Sequence, residues 1–409
     1  MEDYIRSCIA ETKKNLQRQL DVEKSFASVR EAMQIETEAI RDKQARGESI
    51  IPELSYQKIA DNAVPPDTIK SIRKTGCAII RGVFSAHQAE TWNQQMGEYL
   101  ETNNYIEKSR EKAGLDNYFG DLADANPQIF GIYWSLPQVE ARQAESMART
   151  KQFMNHLWDV RSPMGDEFDP DNDLAYADRT RRRAPGDKTL GLSPHMDAGS
   201  YERWVDPAFQ KIYEPVFTGN WSAFDPWKAA FRTQTREYAS PAVCSMFRTF
   251  QGWTALTPQG AGDGTLQVLP IANSIAYTLL RSLMPDVPAD QFCIAQPGRA
   301  LGINEKWHPE LMQGLVSIPV VEPGDTVWWH PDVIHAVESE HQGNEYASVI
   351  YIGASPRCNK NDAYARRQSI HFAEGRSAPD FAAEDYEVDF TGRATPDHLT
   401  ALGRAQMLI

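Results

Sequence analysis

From Gly191 onward the chain breaks into short runs of strand-forming residues, at 245–256, 265–269, 291–294, 315–319, 326–329 and 348–354, bounded by Gly, Pro, Asp and Asn. Runs this short, rich in Val, Ile, Thr, Phe and Trp, are strands bounded by turns. Many short strands with turn signals point to a jelly-roll barrel or sandwich. One long segment, 200–242, rich in Trp, Phe and Pro, interrupts the series as an insertion able to form a lid or to pack.

The preceding part of the chain is different. Residues 2–46 place Ile5, Ile9, Leu16, Leu20, Met33 and Ile40 at helical spacings among charges, and Gly47 is a stop. This amphipathic section, 1–66, is expected to pack on the β domain or on a second subunit, so a homo-oligomer is one alternative. A helix is expected over 67–76, then a strand over Cys77-Ala-Ile-Ile-Arg-Gly-Val-Phe84, with Ser85 capping a helix that runs through Leu100. The spacing predicts a further helical run over 143–159, and the acidic patch 166–173 is expected to be a solvated loop or a weak cation site. The β domain spans 67–356, and 357–409 is expected as an irregular C-terminal wrap.

Composition limits the function. Lys and Arg number 42 against 56 Asp and Glu, a formal charge of −14, which opposes binding to nucleic acid or an anionic membrane. The five cysteines are odd in number and lack any CxxC pair, as expected for reduced thiols in a cytoplasm. The N-terminus carries no secretory apolar stretch, and no window reaches the roughly 18 apolar residues of a membrane span. The expectation is a cytoplasmic enzyme acting on a small molecule.

Two stretches carry chemistry: Pro194-His195-Met196-Asp197 and, far downstream, Val333-Ile334-His335-Ala336. Ferrous iron that activates O2 takes two histidines and one carboxylate on one triangular face, leaving the opposite positions open. A His and an Asp two apart on a strand end point to the same side, so His195 and Asp197 can share an ion, with the second His coming from another strand. His330 and His335 both follow the Pro323-Gly324-Asp325 turn and its aromatic strand. If 175–190 holds a strand, Arg179, Arg181 and Arg183 share one face, which is either solvated or, inside a barrel, makes Arg181 and Arg183 a substrate or anion site.

These motifs together resemble the Fe(II)/2-oxoglutarate-dependent dioxygenase superfamily, in its phytanoyl-CoA-hydroxylase-like branch. The resemblance rests on Thr75-Gly-Cys-Ala-Ile-Ile-Arg-Gly-Val-Phe84, the His-x-Asp triplet, Trp253-Thr-Ala-Leu-Thr with Asp263-Gly-Thr-Leu-Gln-Val-Leu-Pro270, and Pro-Gly-Asp-x9-His335, over 75–354. More narrowly, Asp178-Arg-Thr-Arg-Arg-Arg-Ala-Pro-Gly-Asp187, Phe250-Gln-Gly-Trp253 and Asn361-Asp-Ala-Tyr-Ala-Arg-Arg-Gln368 look like the YbiU-like family, for which no substrate is settled.

The resemblance implies a double-stranded β-helix (jelly-roll, cupin-like) barrel, mainly β with flanking helices. It further implies Fe(II) on His195, Asp197 and His335 in preference to His330, with 2-oxoglutarate as co-substrate and O2 as oxidant. The chain departs from the superfamily at one place: where an Arg-x-Ser pair usually holds 2-oxoglutarate there is Tyr346-Ala-Ser348. Ser348 fits, and the missing charge is sought first at Arg248 near Trp253, then at Arg183 and Arg181, then at Arg357. The alternatives are a cupin-like metalloenzyme (isomerase or extradiol-type oxygenase) that does not use 2-oxoglutarate, or a non-catalytic small-acid-binding protein.

Overall fold

The computed structural model describes residues 2–112, 127–188, 193–236 and 244–409. The far end of the 200–242 insertion therefore lies outside the described residues.

Two sheets carry the centre of the molecule. The larger has seven strands in the order Glu53–Ser55, Cys77–Arg81, Thr326–Trp329, Phe250–Ala255, Ala347–Ala354, Thr180–Arg183, Ile129–Phe130. Only its first pair is parallel. The smaller has five antiparallel strands in the order Leu301–Gly302, His195–Met196, His335–Val337, Leu266–Val268, Val316–Ser317. Trp253, Val327 and Val349 of the large sheet and Met196, Leu266 and Val268 of the small one join a single buried cluster. The sheets therefore pack across one core, and the chain crosses repeatedly from one to the other.

Mainly β content and a closed barrel are both corrected. Among the described residues helix accounts for 42% against 17% strand, so the fold is mixed α/β, and their two sheets do not form a barrel. The strands of the small sheet are only two or three residues long. Helix exceeds the expectation because the buried stripes are diluted by polar residues and carry a weak periodic signal. Asn359–Glu374 is such a case: the expected irregular tail holds a 16-residue helix burying Tyr364, Ala365, Gln368 and Phe372. Residues 291–294 form no strand, because Cys293 adopts a left-handed backbone (φ 54°) that breaks extended structure. The acidic patch is no solvated loop either. Asp169–Asp173 is a strand paired with Pro356–Arg357, and buried Asp173 meets Lys151 at 3.0 Å.

The N-terminal helices form where expected. Glu2–Gln17 and Val22–Ala45 bury Ile9, Leu16, Val29, Met33 and Ile40, with Asp21 accepting from the Lys24 N–H as cap of the second. The second helix packs on Ile275–Ser282 and Pro309–Met312, and Phe26 meets Tyr277 edge-on at 5.0 Å. Pro66–Thr75 ends at Gly76, and Ser85 caps Ala86–Thr102. No helix of the described residues is long and apolar enough to cross a membrane.

Candidate metal centre

Strand alternation builds the site. Met196 turns into the core, so His195 and Asp197 on either side of it face the opposite way. His335 lies directly across the ladder from His195. The two imidazoles are 4.3 Å apart between centroids, and the Asp197 oxygens lie 3.5 Å from His195 Nε2 and 3.9 Å from His335 Nε2. One donor atom from each of the three falls within 4.8 Å of the others, a set that can hold a metal ion.

The ring orientations are fixed from behind. His195 Nδ1 donates to the Ser193 carbonyl at 2.6 Å and His335 Nδ1 to the Val333 carbonyl at 3.1 Å, which leaves both Nε2 lone pairs facing the centre. Burial, with the neighbouring charge of His195, pushes the His335 imidazole down to about 4, so it is neutral at pH 7. Burial would raise the Asp197 carboxyl, but His335, His195 and Arg248 outweigh it and hold it below the usual range.

Neighbours that sequence reasoning did not mark hold the carboxylate. Gln251 Nε2 donates to Asp197 Oδ2 at 2.6 Å, and Trp329 Nε1 donates to Gln251 Oε1 at 2.6 Å. Arg203 donates to the Asp197 and Gly199 carbonyls and is itself held by Asp332 at 2.9 Å. Arg232 takes the other Asp332 oxygen at 2.8 Å. The only signal for Gln251 was its place in Phe250-Gln-Gly-Trp253; nothing local distinguishes Arg203 or Asp332.

His330 is committed elsewhere. Its Nδ1 accepts from the Asp332 N–H and its Nε2 donates to the Pro226 carbonyl, both at 3.0 Å, while the ring stacks on Trp158 at 4.7 Å. Neither nitrogen is left for a metal, so of the two histidines only His335 serves the centre.

A cavity of about 120 Å³ opens on the triad and is also lined by Arg179, Arg181, Arg248, Trp253 and Tyr351. Arg181 is 3% exposed; it makes one hydrogen bond, to the Gly264 carbonyl at 3.2 Å, and no ion pair among the described residues. Arg248, 7% exposed, contacts the Cys244 sulfur at 2.8 Å and lies over the Tyr176 ring. Arg183 shares Arg181's face of the strand but not the cavity: its guanidinium is spent on the carbonyls of Gly264, Glu338 and Asp187. Gly264 (φ 64°) permits this, since a Cβ there would sit 2.5 Å from Arg183 Nη1.

Two expected residues are elsewhere. Ser348 pairs with Arg182, whose guanidinium stacks on Tyr346 at 5.3 Å, so both face away from the cavity. Arg357 binds Asp362 on the surface. The insertion is core as much as cover: Trp204, Phe209, Tyr213 and Phe217 are buried in the main cluster, with Trp204 stacked on Phe292 at 4.7 Å.

Fold and site thus define a mixed α/β protein whose two facing sheets present a two-histidine, one-carboxylate metal face beside buried arginines. The chain belongs to the Gig2-like family, whose model matches residues 3–409. It is 42% identical to YbiU of Escherichia coli K12 over 402 residues, 98% of this chain and 95% of that one. It also resembles a solved structure of a candidate oxidoreductase from Salmonella typhimurium LT2 at 40% identity and TM-score 0.93, covering 99% of this chain and 97% of that one. A third relative, GIG2 (GlcNAc Inducible Gene 2) of Candida albicans, is 28% identical with TM-score 0.83, covering 98% of this chain and 88% of its own.

Proposed function

We propose that the protein is an Fe(II)- and 2-oxoglutarate-dependent oxygenase that hydroxylates or otherwise oxidises a small metabolite. The observation that carries this reading is the sharing of one cavity by the His195, Asp197, His335 face and the buried, acid-free Arg181. The strands alternate between two facing sheets in the manner of an open, unclosed double-stranded β-helix: Thr180–Arg183, Phe250–Ala255, Thr326–Trp329 and Ala347–Ala354 lie in one sheet, His195–Met196, Leu266–Val268, Val316–Ser317 and His335–Val337 in the other. The Salmonella relative's description as a candidate oxidoreductase agrees with the reading.

Arg181, not Arg248, is the better anchor for the distal carboxylate of 2-oxoglutarate. Gln251, which holds Asp197, marks the metal level, and Arg181 pairs with Val349 opposite Ala255, four residues deeper. That step is roughly 13 Å along the strands, which a guanidinium arm and a five-carbon diacid together bridge. The arginine that the superfamily carries at the start of the Ala347–Ala354 strand is thus replaced from its neighbour, while Tyr346 has moved to the surface. A buried guanidinium without a carboxylate partner is costly alone and is relieved by an anionic ligand.

Iron held by these residues would, with O2 as oxidant and 2-oxoglutarate as two-electron reductant, supply the oxidising chemistry, one oxygen atom ending in succinate beside CO2 and the other in the substrate. The chain's own residues perform the rest. His195, Asp197 and His335 present their donor atoms on one side, Gln251 keeps one Asp197 oxygen turned away in a hydrogen bond, and Trp253 and Tyr351 wall the cavity against water.

Anaerobic titration with Fe(II) and 2-oxoglutarate tests the reading. A weak visible charge-transfer band is expected, lost in Asp197→Ala and shifted to at least tenfold higher 2-oxoglutarate concentration in Arg181→Ala. No band in the wild type would point to a metalloenzyme that does not use 2-oxoglutarate. A band insensitive to Arg181→Ala but weakened by Arg248→Ala would move the anchor to Arg248.

A further inference from the structure

Most of the described lining of the metal cavity lies in or next to strands of the two sheets, but Phe381 comes from the C-terminal segment. It sits on a loop, 377–385, that contains neither helix nor strand. The loop is closed at its own base: the Ser377 N–H donates to Asp385 Oδ1 at 2.8 Å, and the Asp385 N–H donates to Ser377 Oγ at 2.9 Å. Its tip is a turn through Pro379 in which the Phe381 N–H donates to the Ala378 carbonyl at 3.0 Å. Two side chains hold that tip down. The Asp380 carboxylate accepts from the Ser245 N–H at 2.8 Å and the Tyr176 hydroxyl at 3.0 Å. The Phe381 ring lies under the Arg179 guanidinium at 4.7 Å and beside Tyr133 at 5.2 Å, and it is only partly buried. A compact loop whose ends are joined to each other can lift as a unit without breaking the elements on either side.

Size gives this loop a task. A cavity of roughly 150 Å³ takes up one benzene molecule, and a five-carbon keto-diacid is larger than benzene. With about 120 Å³ available, the diacid reaching to Arg181 fills the space, and a second molecule must lie toward the outer wall. We propose that loop 377–385 is the lid of the metal cavity, lifting about its Ser377–Asp385 base, and that Phe381 is the residue on it that meets the primary substrate. The encounter with substrate rests on the oxygenase reading; the lifting of the lid does not. Lids of this kind admit the substrate and then shut out water.

Cys244 lines the same cavity and reports on the lid without any metal. Burial pushes its thiol up to about 12, so with the lid down it reacts slowly. N-ethylmaleimide is the probe, applied to the full-length protein, with alkylation of Cys244 followed by peptide mass spectrometry. Phe381→Ala removes the cover and Asp380→Ala frees the tip, and each is expected to raise the Cys244 rate at least tenfold. In the wild type, hydrogen exchange of the amides of 380–385 should proceed by a local opening that low denaturant leaves unchanged, whereas the amides of Asn359–Glu374 respond to it. A Cys244 rate unchanged in either variant, or exchange of 380–385 only together with that helix, would overturn the proposal. The exchange measurement needs no variant and is decisive even where Asp380→Ala does not fold. If the charge-transfer band is absent while Cys244 is gated, the co-substrate assignment fails and the lid stands. If the band is present and Cys244 is not gated, the lid fails and the oxygenase reading stands.

Discussion

Asp197 owes its position to residues distant in sequence. Its side chain accepts from Gln251, its carbonyl from Arg203, and the chain after it turns through two left-handed residues, Ala198 (φ 67°) and Gly199 (φ 89°). A carboxylate steered this way would present one oxygen to a metal held by the triad, so Gln251→Leu should weaken metal binding about 10–100-fold. Because it also strands Trp329 Nε1, it should cost about 1–3 kcal/mol of stability. Metal titration of the folded variant decides: unchanged affinity would show that Asp197 needs no such guide. The contrast with the ligands explains what was legible. His195, Asp197 and His335 announce themselves because the metal demands those residue types and the strand period fixes two of them. Gln251, Arg203 and Asp332 act through hydrogen bonds that any polar residue could make, and only the fold reveals which ones do. Arg181 and Arg248 were visible as candidates, but their ranking depended on the depth of each strand pair, which sequence does not contain.

At the level of elements, the loop from His330 to His335 connects the aromatic strand to the candidate metal face and is braced on both sides. Asp332 sits between Arg203 and Arg232, and Val333, whose carbonyl orients His335, packs against the helix end at Gly76. Gly76 is left-handed (φ 70°), and a Cβ there would lie 2.6 Å from Val333 Cγ2. Gly76→Ala should therefore destabilise the fold by about 1–3 kcal/mol and loosen metal binding; an unaltered melting temperature would show that the helix end yields freely. Asp332→Ala is expected to be more severe, about 3–5 kcal/mol, since two buried guanidinium groups lose their shared partner. Chemical denaturation measures it, and a loss under 1 kcal/mol would mean that water or Tyr213 replaces the carboxylate. The stops and caps of this region were legible because Gly76 and Ser85 are chemically singular. The absence of a 291–294 strand and the helix in the tail are not legible in sequence, because nothing local marks Cys293 as left-handed and polar residues dilute the buried stripe of Asn359–Glu374.

Across the whole molecule, two buried neutral histidines tie stability to pH. Burial pushes His330 and His308 each down to about 3. Between pH 6.5 and about 3 the unfolded chain binds protons that the folded chain refuses, so these groups stabilise the fold at neutral pH and that contribution is lost as pH falls below 6.5. At pH 5 the loss is about 2 kcal/mol for each, a sizeable part of the ~5–15 kcal/mol that holds a typical domain together. Glu387 works in the opposite sense: burial pushes its carboxyl up to about 7, so its contribution is present at low pH and fades as pH rises through 7. The two trends overlap, and subtraction separates them. His330→Phe retains the stack on Trp158 but cannot titrate, so its stability at pH 7 should fall with the lost bonds to Pro226 and Asp332. Its decline from pH 7 to pH 5, followed by urea denaturation, should be about 2 kcal/mol shallower than in the wild type. Parallel curves for the two proteins would show that His330 titrates normally in the fold and that acid sensitivity arises from other groups.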